Sequence, residues 1–108
     1  MNIATATADT GTTVLEAIKA GMSDAMDADS DVILMGEDVG LAGGIFRTST
    51  GLHQRFGSKR VIDTPLGEKG IVAHGIGLAL YGLKPIVEIQ FSGFIHDAFE
   101  HIMFCAAR

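Results

Sequence analysis

The feature that most constrains the fold is the stretch from Asp63 to Gly70 (DTPLGEKG), which joins an apolar strand candidate to a long apolar run. The strand candidate spans residues 60–63, and Pro65 biases the residue before it away from the α region, so the chain turns there. The apolar run at residues 70–83 is too short to cross a bilayer and predicts a buried helix. Glu68 therefore lies between a strand and a helix, at the edge where open α/β sheets bind ligands.

Other apolar runs predict further strands and helices. Residues 32–35 form a short unbroken apolar run, which is typical of a strand buried on both faces of a parallel sheet. Residues 84–90 predict a third strand, with Pro85 near its start, where the missing amide is tolerated. Thr13 to Glu16 has capping-box spacing. The helices predicted from periodicity span residues 13–26, 70–83 and 95–108, with a short helix inside 48–56.

Three strands that alternate with helices predict an α/β fold, an open parallel sheet with helices on both faces. We expect residues 1–12 to be a flexible lead and residues 13–108 to form one partial domain. The helix at 70–83 carries several interior glycines, each of which costs helix stability of order 1 kcal/mol. These glycines suggest the close approach of another backbone.

The glycine-rich segment at residues 36–44 follows a predicted strand, but it does not have the pattern of a phosphate-binding loop. It lacks the lysine and the serine or threonine of a P-loop, and no Rossmann-type helix follows it. Gly75 and Gly77 imitate the start of a dinucleotide fingerprint, but the third glycine is misplaced. Arg47, at the end of this region, is either solvated or paired with an acidic group or a substrate anion.

The carboxyl ends of the predicted strands bring Glu37, Leu66, Glu68, Gln90 and Phe94 to one edge. Two acids, an amide, an aliphatic and an aromatic side chain form a pocket for a flat, hydrogen-bonding heterocycle, with little to hold phosphates. A purely structural role for Glu68 stays open, because a carboxylate in the first turn of a helix also stabilises that helix by interacting with the helix dipole. Glu37 on its own equally suits a solvated loop.

Composition and charge exclude several classes of function. The chain is 47% hydrophobic and 19% charged, which argues against disorder. A net charge of −5 without clustered Lys or Arg predicts neither a nucleic-acid nor a membrane partner. Cys105 has no second cysteine to pair with, and the amino terminus lacks signal-peptide features, so we expect a cytoplasmic protein. His96, Glu100 and His101 miss the zincin spacings, so no metal site is predicted.

From about Thr13 to Ala107 the chain resembles the beta subunit of the thiamine-diphosphate-dependent decarboxylating component of 2-oxo acid dehydrogenase complexes. The resemblance is carried by four segments, namely residues 36–40, residues 43–47, residues 63–71, and residues 88–91 with Phe94. It implies the amino-terminal part of a transketolase-like pyrimidine-binding domain. The implied reaction is oxidative decarboxylation of pyruvate or a branched-chain 2-oxo acid, with acyl transfer to lipoyl groups.

The resemblance also implies a role for each residue of the predicted pocket. Glu68 matches the catalytic glutamate that hydrogen-bonds a ring nitrogen of the cofactor's aminopyrimidine and promotes its imino tautomer. Phe94 is expected to stack on the pyrimidine, with Leu66 and Gln90 lining it. Glu37 is expected to complete the hydrogen bonding near Glu68, where two close carboxylates favour keeping one of them protonated.

The resemblance implies partners as well. In this family the alpha subunit holds the cofactor's diphosphate and its magnesium, and no motif for that task occurs here. A heterotetramer with the alpha subunit is expected, as is a lipoyl-bearing acyltransferase that accepts the acyl group. Beta subunits of the family are much longer, so we expect a truncated domain with an unpaired sheet edge and no activity of the chain alone.

Two alternatives of function stay open at this stage. The first is a non-catalytic truncated remnant or interaction module that pairs with an alpha subunit. The second is an acetoin dehydrogenase or a transketolase-like enzyme with a similar pyrimidine domain. The sequence does not select one 2-oxo acid, because the pocket for the substrate's side chain is built largely from parts absent here.

Overall fold

The computed structural model describes residues 11–108, so the predicted flexible lead falls outside the described residues except for its last two positions. A parallel sheet with strand order β2-β1-β3 forms the centre of the fold. The strands are β1 (Val32–Gly36), β2 (Val61–Asp63) and β3 (Lys84–Val87); the helices are α1 (Val14–Ala28), α2 (Leu52–Phe56), α3 (Glu68–Leu80) and α4 (Ile95–His101). The predicted α/β class is confirmed.

The first helix begins where the sequence predicts it. The Glu16 amide donates to Thr13 Oγ1 at 3.2 Å, and the Glu16 carboxylate accepts from the Thr13 amide at 2.8 Å. These two bonds form the predicted capping box, because each side chain satisfies a backbone group at the helix start. The helix continues to Ala28, two residues beyond the predicted end.

Helices pack on both faces of the sheet, as predicted, because the side chains of β1 alternate between its two faces. Val32 and Leu34 belong to a buried cluster with Met26 of α1 and Leu52 of α2. On the other face, Met35 lies beside Gly75 of α3. Within residues 11–108, no helix combines the length and the apolar character that crossing a membrane requires.

Several predicted boundaries are wrong. The helix predicted at residues 70–83 spans Glu68–Leu80. The second strand begins at Val61, not at Arg60, whose side chain bonds instead to carbonyl oxygens of neighbouring segments. The third strand ends at Val87 and not at Gln90, because after Glu88 the chain leaves the ladder toward the one-turn 3₁₀ helix Ser92–Phe94. The last helix is α-helical only to His101 and widens to a π-helix at Ile102–Ala106, a change that apolar spacing does not reveal.

The expected approach of a second backbone to the glycines of α3 is also wrong for the described residues. A Cβ added at Gly75 would lie 2.6 Å from Cγ2 of Val87, so a side chain of β3 occupies the space. A Cβ at Gly77 would meet nothing within 4 Å. Gly75 therefore lets α3 lie against the sheet, whereas Gly77 faces open space.

Alanine substitutions at these two glycines are expected to differ by about 2 kcal/mol in the free energy of unfolding. Gly77→Ala should stabilise the protein by up to about 1 kcal/mol, since alanine is the better helix former. Gly75→Ala gains the same propensity but forces the stiff side chain of Val87 to move, an overpacking cost of about 1–3 kcal/mol. Urea unfolding of both variants tests this, and equal midpoints would contradict the packing described.

Candidate functional site

The carboxyl ends of the three strands meet at one edge of the sheet, where the predicted site residues lie. The strands are in parallel register, with Gly36 beside Asp63 and Met35 beside Val87. Glu37 follows β1 directly, Glu68 opens α3 after β2, and Gln90 lies three positions beyond the end of β3. The topology therefore brings the segments that carry the predicted residues to a common edge.

Glu37 connects the segments that follow all three strands. Its side chain is buried, with 7% of the residue's surface exposed, and its Oε1 accepts a hydrogen bond from the Gly67 amide at 3.1 Å. Its backbone carbonyl accepts from Nε2 of Gln90 at 3.3 Å. Glu37 thus fixes the residue immediately before Glu68 and, through Gln90, the segment after β3.

Glu68 is the first residue of α3 and is half-buried. No side-chain hydrogen bond or ion pair among residues 11–108 involves its carboxylate. Its neighbour Lys69 forms an ion pair with Glu100 at 3.2 Å, which ties the first turn of α3 to α4. The backbone at Glu68 is therefore held in place, and the Glu68 carboxylate is able to accept further hydrogen bonds.

Leu66 and Phe94 present apolar surface at the same edge. Leu66 is 86% exposed and Phe94 is 49% exposed, the latter in the single 3₁₀ turn that precedes α4. The predicted residues thus divide into two groups. One hydrogen bond joins Gln90 to Glu37 and another joins Glu37 to the turn before Glu68, whereas the side chains of Leu66 and Phe94 are exposed.

The structure adds two features that the sequence argument missed. Phe94 packs edge to face on Phe91, and Phe91 packs in the same manner on Phe46, with ring centroids 5.4 Å apart in each pair. The Thr48 hydroxyl donates to Glu88 Oε1 at 2.8 Å, which joins the loop after β1 to the segment after β3. The sequence could have indicated Glu88, because side chains alternate along an extended chain and Glu88 therefore lies on the same side as Gln90.

The loop at residues 37–51 is held against the sheet by further bonds. The buried Ser49 hydroxyl donates to the Val39 carbonyl at 2.8 Å, and the Gly40 amide donates to Asp63 Oδ1 at 2.6 Å. Arg47 has a left-handed backbone conformation, with φ at 64°, and its guanidinium donates to the Ala42 carbonyl. Arg47 is exposed and forms no ion pair with the residues that the structure describes.

A cavity of about 430 Å³ lies beside this edge, between the turn at residues 64–67 and α3. Met35, Ile62 and Leu78 contribute to its apolar lining. The Thr64 hydroxyl is buried and has no hydrogen-bond partner among the described residues. Of the predicted site residues only Leu66 lines this cavity, and Glu37, Glu68 and Gln90 are not part of its lining.

Comparison with known proteins places residues 10–108 in the family described as "Transketolase, pyrimidine binding domain". The chain is 51% identical over 89 residues to the pyruvate dehydrogenase E1 component subunit beta of Leifsonia xyli subsp. xyli, with 82% of this chain and 26% of the relative covered. It is 47% identical over 94 residues to the 2-oxoisovalerate dehydrogenase subunit beta of Bacillus subtilis, with 87% and 29% covered.

A third relative, the pyruvate dehydrogenase E1 component subunit beta of Acholeplasma laidlawii, is 46% identical over 96 residues, with 89% of this chain and 29% of the relative covered. The chain thus spans between a quarter and a third of the length of these curated relatives. Relatives named for pyruvate and for 2-oxoisovalerate match it to a similar degree.

Proposed function

The chain belongs to the transketolase pyrimidine-binding domain family, and on that premise we propose that it forms the pyrimidine-binding part of a 2-oxo acid dehydrogenase beta subunit. The cofactor is thiamine diphosphate, and the reaction of the whole enzyme is oxidative decarboxylation of a 2-oxo acid with acyl transfer to a lipoyl group. Pyruvate and branched-chain 2-oxo acids are the substrate class that the relatives' names support.

The proposal rests on a difference between two acids at this edge, one of which is hydrogen-bonded within the fold while the other is not. Glu37 is buried, and one of its carboxylate oxygens accepts a hydrogen bond from the Gly67 amide. Glu37 therefore holds the turn before Glu68 in place. Glu68 follows directly on that anchored residue and keeps its own carboxylate unpartnered among the described residues. A positioned carboxylate with spare acceptor capacity suits a ring nitrogen of an aminopyrimidine.

The other residues of the edge fit a flat heterocycle. The exposed ring of Phe94 offers an apolar face for stacking, and Leu66 offers an aliphatic wall. Gln90 is held by the Glu37 carbonyl, which leaves its side-chain oxygen as a further acceptor. When bound, thiamine diphosphate supplies the carbanion chemistry of decarboxylation, and these residues bind and orient its pyrimidine.

Several parts of the proposal concern the whole protein. Diphosphate and magnesium would be held by an alpha subunit, because the glycine-rich segment at residues 36–44 does not have the pattern of a phosphate-binding loop. We further propose a heterotetramer with the alpha subunit, a lipoyl-bearing acyltransferase as the acyl acceptor, and a cytoplasmic location. Residues 1–12 as a lead and residues 13–108 as one partial domain remain part of the proposal.

A second candidate function is a non-catalytic interaction module that pairs with an alpha subunit. It is favoured by the open surface on which Glu68 and Phe94 lie, because ligand sites ordinarily enclose most of their ligand. An acetoin dehydrogenase or a transketolase-like enzyme is the third candidate, but no structural observation favours it.

The test uses the native assembly, by which we mean the tagged protein purified from its source cells with every chain that stays bound. We expect an alpha subunit to co-purify and calorimetry to detect thiamine diphosphate binding in the presence of magnesium. Turnover should appear with pyruvate or with 3-methyl-2-oxobutanoate. An assembly that contains the alpha subunit but binds no cofactor would favour the interaction module, and an assembly without an alpha subunit would overturn both candidates.

A further inference from the structure

Three aromatic residues form a continuous stack at the carboxyl edge, which we call the aromatic ladder: Phe46, Phe91 and Phe94. The planes of Phe46 and Phe91 meet at 76° and those of Phe91 and Phe94 at 69°, both with centroids 5.4 Å apart. Edge-to-face pairs at this separation are favourable beyond the area that they bury. The ladder thus connects the tip of the loop at residues 37–51 to the ring at the proposed cofactor site.

The backbone around Phe94 gives the ring little support of its own. Phe94 ends a 3₁₀ helix of three residues, and its amide donates to the Phe91 carbonyl at 2.9 Å. The ring is half-exposed, so solvent permits other rotamers on that side. A ring that must meet a ligand in one orientation binds more tightly when a neighbour already holds it, because less side-chain entropy is lost on binding.

Phe91 is the neighbour that contacts the ring of Phe94, and Phe46 in turn contacts Phe91. Phe46 belongs to a loop whose position is fixed by the Thr48–Glu88 hydrogen bond at 2.8 Å and by the buried bond from Ser49. Glu88 lies in the same segment as Phe91, three positions before it. The loop and the ladder segment are therefore joined both by a polar bond and by aromatic contact.

The rings of the ladder are only half-buried. Phe46, Phe91 and Phe94 are 50%, 44% and 49% exposed, so burial of these rings contributes less to folding than burial of a core residue. Part of each ring is therefore available for contact at this edge. We infer that Phe46 and Phe91 are positioning residues that hold the ring of Phe94 for the cofactor's pyrimidine, an inference that rests on the proposed function.

The test measures the dissociation constant of thiamine diphosphate by calorimetry on the native assembly. Phe91→Leu keeps an apolar side chain but removes both edge-to-face contacts, and should raise the dissociation constant about three- to tenfold. Phe91→Tyr retains the ring and should stay within about twofold of the unaltered protein. The near-ultraviolet circular dichroism of the bound cofactor should change in Phe91→Leu and not in Phe91→Tyr.

The Phe46→Leu variant provides a second test, because in the ladder Phe46 contacts Phe91, and only Phe91 contacts Phe94. It should weaken binding about two- to fivefold in the unaltered protein, and should have no further effect when Phe91→Leu is already present. Phe104→Leu is the control, since this exposed ring packs on Arg108 and belongs to neither pair. It should leave the dissociation constant unchanged.

Each result either supports or overturns the positioning role of Phe46 and Phe91. Unchanged binding in Phe91→Leu, or a full independent effect of Phe46→Leu in the double variant, would overturn it. If Phe91→Leu fails to assemble, the Phe46→Leu variant alone decides, since unaltered binding there would overturn the ladder. Absence of cofactor binding in the unaltered native assembly would instead refute the proposed function on which the inference rests.

Discussion

Glu68→Gln is expected to lower kcat of the native assembly about 10²- to 10⁴-fold, the range that a positioned proton-transfer group contributes. Glutamine has nearly the same shape, so the first turn of α3 and the Gly67–Glu37 bond should persist. The amide, however, carries no negative charge to stabilise a proton on the pyrimidine nitrogen. The measurement is steady-state decarboxylation with saturating cofactor, together with the thermal midpoint of unfolding.

Asp24→Asn is the matched control, because it also removes one negative charge, from the exposed surface of α1. It should leave kcat unchanged. If Glu68 serves only the helix dipole, glutamine will lower the thermal midpoint slightly and leave turnover intact. Turnover above a tenth of the unaltered value in Glu68→Gln would contradict the catalytic assignment.

Arg60→Met is expected to destabilise the protein by about 2–4 kcal/mol. The Arg60 guanidinium donates through Nη2 to the carbonyls of Met26 and Asp29 at 2.7 and 2.8 Å, and through Nε to that of Val32 at 3.1 Å, so it bonds the end of α1, the turn after it and the start of β1. Methionine fills similar space but donates nothing, so each of these carbonyls loses a charge-assisted hydrogen bond. Urea unfolding measures the loss.

Arg55→Met is the matched control for this prediction. The guanidinium of Arg55 lies 5.1 Å from the centroid of the Phe56 ring, the same separation as that of Arg60. Its other contacts are exposed, namely a hydrogen bond to Ser23 Oγ at 2.7 Å and an ion pair with Asp27 at 2.6 Å, which contributes at most about 1 kcal/mol. Because both variants lose the contact with Phe56, equal destabilisation would contradict the role assigned to the carbonyl bonds.

The sequence was sufficient to predict the parts of the fold that depend on local pattern. The unbroken apolar run of β1 predicted a strand buried on both faces, and all its residues are buried. Pro65 and the apolar run after it predicted that Glu68 would lie between a strand and a helix at residues 70–83, and α3 begins two residues earlier, at Glu68 itself. Parallel topology then placed Glu37, Glu68 and Gln90 on one edge without knowledge of any contact.

The parts that depend on packing between distant segments were not predictable in this way. Nothing in the spacing of Phe46 and Phe91 indicates that their rings meet, because the loop between β1 and α2 sets their separation. Interior glycines in α3 were interpreted as room for a backbone, whereas Gly75 makes room for the Val87 side chain. The partner of Glu88 is likewise set by the path of the loop.

The measurement that tests the central claim most directly is a structure of the native assembly with thiamine diphosphate bound. The account predicts a Glu68 carboxylate oxygen within about 3 Å of a pyrimidine ring nitrogen, and the Phe94 ring against the face of that pyrimidine. A pyrimidine bound away from this edge, or a Glu68 side chain that contacts only the backbone of its own helix, would contradict it.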